Sequence, residues 1–108
     1  PIWFEAGRRE IFRIFSPNLD FVNWKLALVK VTVEYVDQLY LAENVEVRTG
    51  IQKIGNSSFT IREEIFQTNR LCAKGEAIYV NYNFQENKSE AISNEIRDKL
   101  LSVKFLEK

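Results

Sequence analysis

The sequence predicts an α+β fold in which one long antiparallel sheet curls around a single helix. Three features predict it: an amphipathic segment from Trp3 to Phe15, four strand-like runs after it (residues 25–36, 45–54, 57–67 and 71–84), and a closing amphipathic stretch over about 90–103. A helix with one apolar stripe and a sheet with one apolar face bury each other. With 108 residues, 45% of them hydrophobic, the chain can enclose one core, so a single domain over 1–108 is expected.

In the first segment Phe4, Gly7, Ile11, Ile14 and Phe15 share a stripe at helical spacing, while Glu5, Arg8, Arg9, Glu10 and Arg13 populate the remaining surface. The helix is expected over about 2–16. Pro1 suits a first turn, and Ser16-Pro17-Asn18 stops the helix because the residue before proline avoids helical geometry. From Lys25 to Val36 the alternation Ala27, Val29, Val31, Val33, Tyr35 has a period of two, giving a strand half-buried toward its C-terminal end. Two further alternating runs meet at Gly55-Asn56, a pair suited to positive φ, and form a hairpin. Thr68-Asn69-Arg70 turns the chain into a run over 71–84 long enough to bend, with Gly75 as the expected bend. Ser89 is the expected cap of the closing helix, in which Ile92, Ile96, Leu100 and Val103 recur.

Composition excludes several classes. Fifteen Lys plus Arg balance fifteen Asp plus Glu, so no net positive field draws the protein to nucleic acid or an anionic membrane. Histidine is absent, which removes Ser-His and Cys-His catalysis and the commonest metal ligand; no metal site and no cofactor are expected. Cys72 is the only cysteine and falls in an apolar strand pattern, where an inert buried thiol is expected. Lys25 and Lys30 interrupt the most hydrophobic region, well short of the roughly 20 apolar residues of a membrane span. With no cleavable leader in view, the expected location is the cytoplasm.

Several phrases carry a resemblance. Trp3-Phe4-Glu5 with Arg8, Val33-Glu34-Tyr35, Glu43-Asn44-Val45-Glu46-Val47, Ile54-Gly55 with Ser57-Ser58-Phe59, and Gly75-Glu76-Ala77 stand in the order and spacing of the hotdog-fold acyl-CoA thioesterases of the 4-hydroxybenzoyl-CoA thioesterase type, which the chain resembles from Trp3 to Phe84. Two departures stand out. Ala42-Glu43-Asn44 replaces the family's Gly-Asp turn, and the strand and Asp-rich loop that precede the helix in that family have no counterpart in these residues. The resemblance therefore implies a natural protein longer by roughly 15–25 residues, about one strand and a loop. In many relatives that loop supplies the catalytic carboxylate.

The resemblance also implies a chemistry. Thioester hydrolysis needs a donor for the carbonyl oxygen and a carboxylate to activate water or attack directly. The unpaired amides of a helix's first turn are such donors, and the family's site falls here on Ile2, Trp3 and Phe4. Glu5 is the visible candidate carboxylate; the rival role for it is a surface pair with Arg8 or Arg9. Of Glu63 and Glu64, adjacent on a strand, one should face inward. For coenzyme A, carried as part of the substrate, the hairpin offers Lys53, the amides of Gly55 and Asn56, and the hydroxyls of Ser57 and Ser58. Trp3, Phe4, Phe12 and Trp24 are either acyl-pocket walls or core.

The 25–36 strand, β-branched and free of proline, is poorly protected as an edge and is expected to pair with its own copy, giving a homodimer or higher oligomer. Two rival readings remain: a hotdog module that binds acyl thioesters, on coenzyme A or on an acyl carrier protein, without cleaving them, and an unrelated α+β dimeric ligand-binding or assembly domain.

Overall fold

The computed structural model describes residues 2–15, 26–40 and 43–104; Pro1, Ser16, Pro17, Asn18 and Trp24 lie outside them, and of Ile2–Gly7 and Glu10 only the backbone is described. Helix α1 (Ile2–Phe15) is followed by β1 (Leu26–Tyr35), β2 (Glu46–Ile54), β3 (Ser58–Gln67), β4 (Arg70–Asn83), the short β5 (Lys88–Ser89) and α2 (Asn94–Leu101). The strands form one antiparallel sheet in the order β1-β4-β3-β2, with β5 pairing the end of β4. The α+β arrangement of one long helix against an antiparallel sheet is as the periodicities predict.

Alternation sets the buried face. Every second residue of β3 is buried, namely Phe59, Ile61, Glu63, Ile65 and Gln67, and α1 lies across β2 and β3. Ile11 is buried in the main core with Leu26, Ile51, Phe59, Ile61, Ala77, Tyr79, Ile92 and Leu100, and Phe12, Ile14 and Phe15 pack against it. Phe15 stacks on Phe59 at 5.0 Å between ring centroids, and Phe12 meets Tyr79 edge-on at 5.2 Å, both favourable ring geometries. A smaller cluster, Ile65 and Ala73 with Val33, Leu39, Val45 and Val47, lies beyond it. Gln67 closes that end: its Oε1 accepts from the Tyr40 amide at 2.8 Å and its Nε2 donates to the Tyr40 carbonyl at 2.8 Å.

The structure corrects four expectations. The closing helix starts at Asn94 and is capped by Ser93, whose Oγ accepts from the Ile96 amide, because Lys88 and Ser89 pair with Asn83 and Tyr82 instead. Asn87, at φ 55°, turns the chain into that pairing, so the helix spans 94–101 and not 90–103. Gly55-Asn56 turns without positive φ; Thr68 and Asn69 at φ 51° and 59° do, joining β3 to β4 by a two-residue turn of the type that suits strand twist. At Gly75 β4 runs on in register with both neighbours, and the register shifts at Cys72, a buried bulge residue. Finally, β1 is buried at its first residue, Leu26, and largely exposed beyond it. The helix does not reach over β1, which leaves Leu28 (51% exposed), Val31 (49%) and Tyr35 (65%) bare on the face that elsewhere forms the core.

Candidate active site

Arg8 occupies the stripe of α1 that packs on the sheet, one turn before Ile11 and Phe12, and is only 6% exposed. Its charge is answered from β3. Arg8 Nε donates to Glu63 Oε1 at 2.7 Å, Nη2 lies 2.7 Å from the same oxygen, and Nη1 donates to the Tyr79 hydroxyl at 3.3 Å. Glu63 is wholly buried. Burial pushes its carboxyl above the ordinary glutamate value, against the opposing pull of the Arg8 guanidinium. The guanidinium grips one oxygen only: Glu63 Oε2 and the hydroxyl of Thr49, the residue facing it on β2, are buried without a hydrogen-bond partner. The expected surface position of Arg8 is thereby corrected, and Glu63 is the inward member of the Glu63-Glu64 pair.

Ile2, Trp3, Phe4 and Glu5 form the first turn of α1 as expected, and the side chain of Glu5 lies outside the described residues. The hairpin stands elsewhere. Since Arg8 meets Glu63 and Phe15 meets Phe59, α1 runs along β3 toward the β2–β3 turn, and its first turn points away from it. From the helix rise and the strand rise, the first turn and Asn56 are about 30 Å apart in one chain. The structure does not bring the two halves of the expected site together within a single subunit.

At the hairpin, the Gly55 amide donates to the Ser58 carbonyl at 2.7 Å and is not free for a phosphate. A Cβ on Gly55 would stand 2.9 Å from Ser58 Oγ, so the turn needs glycine for space. The Gly55 and Asn56 carbonyls accept from Arg97 Nη2 at 3.0 and 3.4 Å, Asn56 O accepts from the Ile92 amide, and Ser57 O from the Asn81 amide. Lys53 remains exposed and lies with Arg97 and Lys104 on a cleft of about 310 Å³ whose apolar lining is Ile51, Ile54 and Leu101. Arg97 and Lys104 were not legible as partners of this turn, since helix α2 brings them there from far along the chain. A second hollow, of about 280 Å³, opens on the outer face of the sheet among Thr32, Glu34, Arg62, Lys74, Gly75 and Glu76, where opposite charges balance. Among the described residues no group of His, Cys, Asp and Glu could hold a metal ion, and no helix is long and apolar enough to cross a membrane.

No curated protein is significantly similar to the chain. Solved structures are. A predicted thioesterase from Bacillus stearothermophilus is 46% identical and superposes with a TM-score of 0.93, covering 100% of this chain and 81% of that one. A thioesterase from Thermus thermophilus complexed with coenzyme A and Zn is 20% identical, with a TM-score of 0.77 over 92% of this chain and 77% of that one. A Staphylococcus aureus protein solved in complex with CoA is 12% identical, with a TM-score of 0.80 over 99% of this chain and 72% of that one. The last two are likenesses of fold. The model of the thioesterase-like superfamily matches residues 3–100, nearly the whole length, which sets aside an unrelated α+β dimeric domain. With one helix laid on an antiparallel sheet and this match from end to end, the chain belongs to the thioesterase-like superfamily and has its hotdog fold.

Proposed function

We propose that the protein hydrolyses an acyl-CoA thioester as a homodimer whose sites are each completed by both subunits. The observation that carries the reading is the end-to-end match to the thioesterase-like superfamily; two structures of the same fold, solved with CoA bound, point to the carrier. The thioester carbonyl oxygen sits at the amides of Ile2, Trp3 and Phe4, unpaired donors at the positive end of α1. There the donors stabilise the oxyanion that develops as the carbonyl carbon becomes tetrahedral. Glu5 takes a proton from water, the hydroxide oxygen bonds to the carbonyl carbon, and collapse of the intermediate breaks the C–S bond. The CoA thiolate leaves and is protonated, and the acyl group departs as a carboxylic acid.

Distance and exposure support the dimer. A coenzyme held at Lys53, Asn56, Ser57 and Ser58 cannot present its thioester to the first turn of the same chain, about 30 Å away. Pairing β1 antiparallel with the β1 of a second copy reverses that copy end for end, carrying its hairpin to the end where the first copy's α1 begins. β1 suits this role as an edge strand with Leu28, Val29 and Val31 exposed. The other reading of the same site is a module that binds acyl thioesters without cleaving them.

Thiol release from a panel of acyl-CoA thioesters by the full-length protein separates the two. Turnover by the wild type, reduced at least tenfold in kcat by Glu5→Gln, supports the proposed roles. Tight binding of acyl-CoA with no thiol release would establish the binding module instead, and turnover untouched by Glu5→Gln would move the catalytic carboxylate elsewhere.

A further inference from the structure

Among the described side chains of α1, Arg8 brings a buried charge to the sheet beside apolar neighbours. Ile11, Phe12 and Phe15 meet Phe59 and Tyr79 through surfaces whose attraction is proportional to area and has no direction. Such a contact resists separation more than sliding. The Arg8 guanidinium is different, since all three of its nitrogens are engaged: Nε and Nη2 on Glu63 Oε1, and Nη1 on the Tyr79 hydroxyl. Those two partners stand at separated levels of the sheet, Glu63 opposite Gly75 and Tyr79 opposite Phe59, four residues apart along both strands. Gly75 presents no side chain on the inner face beside Glu63. The cation is thus bracketed along the strand direction by β3 on one side and β4 on the other. Because the pair is out of water, moving it apart by an ångström weakens a directional interaction that solvent cannot replace.

We propose that the Arg8–Glu63 pair, with Tyr79, is a positioning device that fixes α1 along its axis on β3 and so sets where the first-turn amides stand. This rests on the reading of that turn as the oxyanion site. Arg8 and Glu63 touch neither substrate nor water in this role; they act through the backbone of Ile2 to Phe4, one to two turns before Arg8. Placement matters there because oxyanion donors act within a few tenths of an ångström of their ideal distance, and a misplacement of about 1 Å can cost a hundredfold in rate. The device also accounts for an ionic link in an interface that apolar side chains could have filled more cheaply, since buried pairs contribute little net stability over such replacements.

The test is the paired replacement Arg8→Met with Glu63→Leu, which removes both charges together and leaves no buried ion alone, so that folding survives. Steady-state kinetics with the best acyl-CoA substrate and a crystal structure of the variant superposed on the sheet are the two readouts. The expected result is a kcat at least tenfold lower with KM within about threefold of wild type, and α1 displaced along its axis by about 1 Å or spread over several positions. Glu63→Gln, which keeps the shape and removes the charge, should lower kcat in the same sense by a smaller factor. Wild-type kcat in the paired variant overturns the proposal, and so does a lower kcat with α1 unmoved. Should the wild-type protein release no thiol from any thioester, the oxyanion reading fails on its own, and the helix position in the variant still decides the role of the pair.

Discussion

At the scale of single residues, the buried pair governs both stability and its dependence on pH. Arg8→Met alone leaves the Glu63 carboxylate enclosed without its cation, and a cost of about 3–5 kcal/mol in a denaturant titration at neutral pH is expected. The pH dependence carries a sign. Burial raises the folded-state value of Glu63, so its contribution to stability is fully present below the ordinary glutamate range and is lost as the pH rises through the raised value. Without Arg8 that value rises further, and the gap between wild type and Arg8→Met should open as the pH rises through the raised wild-type value. A gap constant from pH 4 to 8 would show that the carboxyl does not titrate against Arg8. This pair was half-legible in the sequence. Arg8 sits at helical spacing with Phe4, Ile11, Phe12 and Phe15, and Glu63 alternates with Phe59, Ile61 and Ile65, so each apolar face carries one charge of opposite sign. What the sequence could not supply was the register of helix on sheet that makes them meet; read one face at a time, Arg8 passes for a surface residue.

At the scale of elements, the strands were legible because their period of two persists over nine or more residues, and their observed ends fall within a residue or two of the sequence pattern. The closing helix was legible but its start was not, because Ser89-Glu90 carries the same cap and acidic first turn as Ser93-Asn94-Glu95. Tertiary contacts decide between them. The Glu90 amide is given to the Asn81 carbonyl and the Ile92 amide to Asn56 O, while Asn81 Nδ2 donates to the carbonyls of Glu90 and Ala91, which holds residues 90–92 extended beside β4 and the hairpin. Ser93→Ala is therefore expected to cost about 1 kcal/mol, while Ser89→Ala, exposed at the end of the sheet, should stay within about half of that. Thermal unfolding of the two variants side by side checks the boundary; equal losses would contradict it. The bulge at Cys72 and the positive φ of Thr68 and Asn69 within the expected turn escaped a reading by residue type for a related reason. The chain uses Gly55 for space and, among the described residues, places its positive φ at residues that are not glycine.

At the scale of the whole molecule, the helix shelters only part of the sheet. Over β2 and β3 the inner face is filled by Ile11, Phe12 and Phe15; over β1 the side chains of Leu28, Val31 and Tyr35 stay about half exposed or more, and among the described residues α1 does not reach them. Val31→Lys places an ammonium in that strip with little effect on the core, and it is expected to turn a sedimenting dimer into a monomer at micromolar concentration while far-UV circular dichroism stays that of a folded sheet. Unchanged sedimentation would mean that β1 is not the seam. The sequence marked this strand as an unprotected edge, and it could not show that the helix lies off it, since the lateral placement of a helix on a sheet leaves no trace in the periodicity of either. That uncovered strip has a thermodynamic corollary. If a second copy roofs it, part of each subunit's apolar burial is supplied by association, and the unfolding temperature must climb as the protein is concentrated, as mass action requires.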